Sequence, residues 1–416
     1  MLTARKTSQC CEWIALMLLT SCFFVSPISV SLTTITYLGA FIFLLLSGDW
    51  RARWERIKNN KAAMSFWLLF ALLIVGIFYS ASTPQFIFKD IQKRHYLLMT
   101  PFFMMIIQDE QWRQRMINAF LFAMIVTLFF SSIQTIFHVR FSNSIHLLRH
   151  QFDISSVFVD HIVQSFAMNI AAFICAYRFF FKKKNRMAYL IFFILMAVNI
   201  MLMNKGRTGY GIFLLLCFYL SVIRFGWKGI AVTGLLSVVA CLFVLYTPNN
   251  FHARLQKMHY QYGAFQKFEK RGVLMHHQSV IQRIEMWKIS KKMIKKRPWF
   301  GYGTGGIEAQ LPKIIPAKER VFNKSLNYVE SDYLNFILAF GFVGLAVFLF
   351  VIFLQIKTTF QLPHPYRCLM QATLIALLFG GIFNGFLISF SVSHFYALLS
   401  AVCFSALCNS RRDEII

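Results

Sequence analysis

Apolar runs of about twenty residues recur along almost the whole chain. "MAYLIFFILMAVNIMLM" (187–203) and "FILAFGFVGLAVFLFVIFL" (336–354) are two of them. A run of that length matches the hydrocarbon thickness of a bilayer when it is helical. Inside lipid no water satisfies backbone N–H and C=O groups, so each run must close its own hydrogen bonds. The expected fold is therefore an all-α polytopic membrane protein. Composition agrees: 57% of the 416 residues are hydrophobic, 48 are Phe, and 14% are charged.

About twelve spans are expected, near 12–26, 30–47, 63–81, 96–108, 116–138, 159–181, 187–204, 208–223, 227–247, 332–356, 368–386 and 390–408. Arg5 and Lys6 precede the first one in the manner of a signal peptide. No small-residue cleavage site follows, so a retained span is expected. The net charge of +27 comes from 43 Lys+Arg against 16 Asp+Glu. The basic residues sit in loops between spans, which argues for the positive-inside rule and anionic lipids and against nucleic acid. With the N-terminus in the cytoplasm, "RARWERIKNNK", "QWRQR", "KKKNR", "RFGWK" and "KTTFQLPHPYR" all fall inside, with the tail "NSRRDEII". The nine cysteines lie in or beside apolar spans with no CxxC spacing, so they read as packing residues and no metal site is expected.

One membrane domain over 1–416 is expected, with a loop subdomain at 248–331 on the outer face. That loop carries 16 Lys+Arg. Long loops translocate regardless of charge, so the excess calls for its own reason. "SVIQRIEMWKISKKMIKKRPWFGYGTGG" opens as a basic amphipathic helix, with Val280, Ile284, Trp287 and Ile294 on one stripe and Pro298 as its stop. Such a helix suits a membrane surface.

"NKGRTGY" (204–210) is a short outer turn between the seventh and eighth spans. Short outer loops seldom carry Lys or Arg, so Lys205 and Arg207 stand out, although a charge at a helix edge also snorkels to the interface. Gly206 and Gly209 would let a ligand approach the backbone. Arg283 lies one helical turn before Trp287, at the edge of the apolar stripe. "GYGTGG" (301–306) matches a dinucleotide fingerprint, but no strand precedes it, and a glycine turn exposing N–H groups is the better reading. Glu330 and Asp332 are acids at a membrane boundary. Capping of the following helix by Ser331 or Asp332 is the plain explanation for the latter. His276 and His277 have no matching acid and read as solvated.

Together these stretches resemble the O-antigen ligase / O-antigen polymerase superfamily. An outer Arg in "GRTGY" precedes a span, a long outer loop holds R-x-x-x-W and then "PWFGYGTG", and the next span opens with an acid–Ser pair followed by "GFVG". The resemblance covers the order of elements from roughly 190 to 350. It implies a twelve-span inner-membrane glycosyltransferase of the GT-C type with its active site facing the periplasm. The donor it implies is a glycan on undecaprenyl diphosphate and the acceptor is lipid A-core, with no cofactor and no metal. It implies catalytic roles for Arg207, Arg283 and Glu330. Lys205, Tyr210, Trp287, Gly301 and Gly303 join the two arginines as the expected diphosphate and substrate site. There is one departure. The family has His, then Asn, Ser or Gln, then nine residues and G-x-x-G; Gly341 and Gly344 fix the register, which puts Glu330 where the His stands. A polymerase acting on the same carrier, a protein O-glycosyltransferase and, from another class, a polysaccharide or lipid transporter are the alternatives.

Overall fold

A computed structural model of the chain describes residues 2–137, 156–204, 206–231, 234, 279–314 and 328–407. Among the described residues the regular structure is helical: α1 (Leu2–Val25), α2 (Val30–Leu46), α3 (Trp50–Ile57), α4 (Lys61–Phe78), α5 (Pro84–Lys93), α6 (Tyr96–Ile106), α7 (Glu110–Phe137), α8 (His161–Phe181), α9 (Arg186–Val198), α10 (Arg207–Phe225), α11 (Ser279–Lys296), α12 (Gly306–Ile314), α13 (Asp332–Thr359), α14 (His364–Phe383) and α15 (Phe390–Phe404). A wider π turn, Asn199–Met203, continues α9.

Helices stand at every expected span position except the ninth, most of which lies outside the described residues. Among the described residues eight helices are long and apolar enough to cross a membrane, or nine if α2 and α3, bent by 116°, form one broken span. The chain is a polytopic membrane protein. The twelve-span count is coarser than the structure: α6 has 11 residues with Pro101 inside, and α15 has 15. The 248–331 loop is described only from 279 to 314 and from 328 onward.

Local sequence explains several helix starts. Ser29 accepts from the Leu32 amide, Asn60 from the amides of Ala62 and Ala63, and Asp160 from the Ile162 amide. Each side chain satisfies N–H groups that a helix start leaves open. The core gathers around α8, which packs on α9, α10 and α14, while α4 packs on α6 and α13. Large apolar side chains such as Ile35, Phe78, Phe129, Val343 and Phe353 stay on the outside, as lipid-facing residues do. Cys22, Cys175, Cys368 and Cys403 are buried single thiols.

Contacts between helix ends sort those ends into two sets. At one end Arg53 meets Glu12 at 2.7 Å, Asn60 donates to the Phe404 carbonyl at 3.2 Å and Tyr366 donates to Glu110 at 2.6 Å. At the other end Ala81 N–H donates to Tyr302 at 2.9 Å and Asn204 donates to the His161 carbonyl at 3.4 Å. These are the two sets that loop charge alone separates. The second end also holds Glu330, Arg283 and α5, whose Lys89 and Lys93 grip the buried Glu308 of α12.

Candidate functional site

The site is built on a break in α13. Gly341 has φ +68° inside that helix, a left-handed conformation that a residue with a Cβ resists. The break frees two carbonyls before it and two amides after it. All four are taken by the turn that follows α11. Tyr302 N–H donates to Leu338 O at 2.9 Å and Gly303 N–H to Ala339 O at 2.7 Å. In return Phe342 N–H donates to Pro298 O at 2.8 Å and Val343 N–H to Trp299 O at 3.3 Å. Unpaired backbone in a bilayer costs several kcal/mol per group, so the exchange holds a broken helix together. A Cβ on Gly341 would lie 2.1 Å from the Trp299 backbone, and one on Gly301 would lie 2.5 Å from Leu338 O. "PWFGYGTGG" and "GFVG" are therefore two halves of one backbone joint.

This corrects the reading of Gly301 and Gly303. The amides of Tyr302, Gly303, Thr304 and Gly305 are used within the protein, the last two by Gly76 O and the Asp90 carboxylate. The turn packs the chain, and these four amides are bonded within the protein rather than turned to a ligand. Gly209 is corrected in the same way: a Cβ there would lie 1.8 Å from Ser165 Oγ, so the glycine admits α8.

The joint fixes where α11 lies against the start of α13. Met286 and Met293 are buried, as is Ser290, and Arg283 continues that line toward the N-terminus of α11. The expected stripe through Trp287 is thus rotated. Trp287 is 43% exposed, and Ile294 is only partly buried. The side chains of Val280 and Ile284 lie outside the described ones. Helical periodicity finds an apolar stripe, but methionines at neighbouring angles compete with it, and packing against α13 chose them.

Arg283 Nε donates to Glu330 Oε2 at 2.5 Å, and Arg283 Nη2 donates to Asn384 Oδ1 at 3.4 Å. Asn384 Nδ2 then donates to Thr208 Oγ1 at 3.1 Å. Thr208 is the second residue of α10, and Arg207 is the first. Arg207 is exposed, and the N-cap residue Gly206 supplies no side-chain hydrogen bond to that helix start. The chain Glu330–Arg283–Asn384–Thr208 thus ties four distant segments to one corner. The positive end of the α10 dipole faces it.

Glu330 is held by its neighbours. Asn335 Nδ2 donates to Val329 O at 2.6 Å and Ser331 O at 2.7 Å, while the Val329 amide donates back to Asn335 Oδ1 at 3.1 Å. The residues on both sides of Glu330 are pinned, and its carboxylate stays 42% exposed. Asp332 is buried and is not the expected helix cap. Its two oxygens accept from the amides of Phe386 (3.1 Å) and Leu387 (3.0 Å), which holds the segment carrying Asn384. Ser331 occupies the N-cap position without a side-chain hydrogen bond. Tyr328 stands at the same corner. Its hydroxyl is pushed above the usual phenol value by loss of solvent and then by the Glu330 and Asp160 carboxylates.

The remaining expected site residues fall out as follows. Lys205 lies outside the described residues. Tyr210 is buried and donates to the Asn204 carbonyl at 2.6 Å, closing the turn before α10. Asn384 and Asn335 were missed from sequence. The signal was present: an asparagine between glycines in the apolar run "FGGIFNGF" is expensive in a membrane and asks for a purpose. A cleft of about 420 Å³ lies beside the corner, lined by Arg94, Asp332, Asn335, Phe336 and Leu97 among others. Among the described residues no three His, Cys, Asp or Glu side chains gather as a metal site would need.

Residues 191–349 match the family model described as O-antigen ligase. The match spans Arg207, Arg283, Glu330 and Gly341, so the corner and the joint both lie within it, whereas Asn384 lies beyond it. No curated protein matches the chain. Over residues 191–349 the chain thus resembles the O-antigen ligase / O-antigen polymerase superfamily.

Proposed function

We propose, from the resemblance of residues 191–349 to that superfamily, that the chain is an inner-membrane glycosyltransferase. It passes an O-antigen glycan from an undecaprenyl diphosphate carrier to lipid A-core on the periplasmic side. The observation that carries this reading is the Arg283–Glu330 pair, linked through Asn384 to the helix start that bears Arg207.

In this reaction an acceptor hydroxyl attacks the anomeric carbon of the glycan. A new glycosidic C–O bond forms as the C–O bond to the diphosphate breaks, and the diphosphate leaves with the electron pair. Negative charge grows on the leaving group. A guanidinium holds phosphate through paired N–H donors, and stabilising charge that develops in the transition state is where such donors accelerate a reaction. Arg283 donates to Glu330. An incoming diphosphate competes for that guanidinium and releases the carboxylate, which then accepts the proton of the acceptor hydroxyl. Arg207 and the α10 N-terminus hold the other side of the diphosphate. A carboxylate takes here the role that the family gives to His.

Glu330→Gln tests this. It keeps the shape and removes the charge. We expect transfer to fall by roughly 10²- to 10⁴-fold, the contribution of general-base catalysis, with unchanged membrane abundance. Near-normal transfer by the Gln variant would falsify the catalytic role. Glu330→His is expected to restore part of the activity. Disruption of the gene separates ligase from polymerase: a ligase leaves polymer accumulating on the carrier, and a polymerase leaves single repeat units on lipid A-core.

A further inference from the structure

At the end of the bundle away from Glu330, α7, α8 and α14 leave an open cleft. Ile117, Phe173 and Leu369 form its apolar wall, and Arg178, Lys182 and Tyr366 stand at its polar edge. Arg178 is 6% exposed in the last turn of α8. Such a buried charge normally has a counter-charge. Among the described residues Arg178 has none within 4.0 Å. Its guanidinium lies 5.4 Å from the Tyr189 ring and reaches only Tyr189 Oη at 3.3 Å and Gln114 Oε1 at 3.5 Å.

The nearby carboxylate is already engaged. Glu110 accepts from Tyr366 at 2.6 Å, Gln114 at 2.9 Å and Arg113 at 3.2 Å. Lys182 follows α8 directly. Its ammonium is pushed below the usual lysine value, first by loss of solvent and then by the like charge of Arg178, with Glu110 acting weakly in the opposite direction. Lys183, Lys184 and Arg186 continue the positive rim. The cleft thus pairs two neighbouring cations, one deeply buried and lacking a carboxylate partner, with an apolar wall. An anion with an apolar body satisfies both halves, and basic pockets between membrane helices take lipid head groups in this manner.

We propose that this cleft binds one anionic phospholipid, with its phosphate between Arg178 and Lys182 and its acyl chains along Ile117, Phe173 and Leu369. A free phosphate would leave the apolar wall bare, and a zwitterionic lipid would leave the cations without net compensation. The site stands apart from the Glu330 corner and does not depend on the reaction assigned there.

The test uses the full chain purified in detergent, with native mass spectrometry and thermal unfolding as readouts. The additions are phosphatidylglycerol, phosphatidylcholine or glycerol 3-phosphate. We expect one phosphatidylglycerol retained per chain together with a raised unfolding temperature, and neither effect from the other two. Lys182→Gln changes an exposed residue that leaves folding intact, and it should weaken retention about fivefold. Arg178→Gln should weaken it at least about tenfold. Lys357→Gln, an exposed charge near the end of α13 that does not line the cleft, should leave retention unchanged. Equal retention of phosphatidylcholine, protection by glycerol 3-phosphate alone, or full retention by a folded Lys182→Gln chain would each overturn the proposal.

Discussion

The joint at Gly341 and the corner at Glu330 lie at the same end of the molecule and are built from opposite materials. At the joint, backbone meets backbone: four amides and four carbonyls of two segments bond to each other, and glycines allow the contact. At the corner, side chains from four segments meet through single hydrogen bonds, and the carboxylate remains 42% exposed. The joint spends these backbone groups on itself, and it holds α11 and α13 in register. The corner keeps charge open at the position that register defines. With the proposed reaction at the corner, stability and chemistry are divided between two neighbouring regions of the fold.

That division predicts how each region should break. Gly341→Ala forces a Cβ into the left-handed region, which costs about 1–2 kcal/mol by itself, and drives it to 2.1 Å from the Trp299 backbone. It should lower membrane abundance and the unfolding temperature, and transfer should fall in proportion to folded protein. A Gly341→Ala chain of normal stability would remove the joint from this account.

The corner should fail in the opposite way, losing activity without losing fold. Arg283→Lys and Arg207→Lys keep charge but lose the planar fork. A charge-assisted hydrogen bond is worth about 1.5–3 kcal/mol, so each should slow transfer by roughly ten- to a hundredfold at equal abundance. Wild-type turnover in either variant would return that arginine to a snorkelling role.

Asn384→Ala sharpens the comparison, because Asn384 only positions its neighbours. It loses neutral hydrogen bonds of about 0.5–1.5 kcal/mol each, so transfer should fall by roughly tenfold or less. Combined with Arg283→Lys, it should add little, since both act on one guanidinium. Full additivity would mean that Asn384 acts elsewhere. Lys291→Ala and Lys295→Ala, exposed on α11, should have the smallest effects, within about 0.5 kcal/mol.

Sequence by itself determined the helical class, most of the span positions and the sorting of loops to two sides. Those properties are sums over adjacent residues: hydropathy over about twenty positions, and charge counted loop by loop. The order of motifs also pointed to Arg283 and Glu330 before any contact was known. Only the tertiary structure decided which side of α11 faces inward, since Met286 and Met293 lie on a stripe about as apolar as that of Trp287 and packing against α13 chose between them. Only it assigned "GYGTGG" to a joint, because the fate of an amide depends on a carbonyl at Leu338 or Ala339 that periodicity does not see. Only it drew in Asn384, which reaches Arg283 across 101 residues and Thr208 across 176. Hydrogen-bond partners are set by folding geometry rather than by spacing along the chain, and at this site they cross 47, 101 and 176 residues.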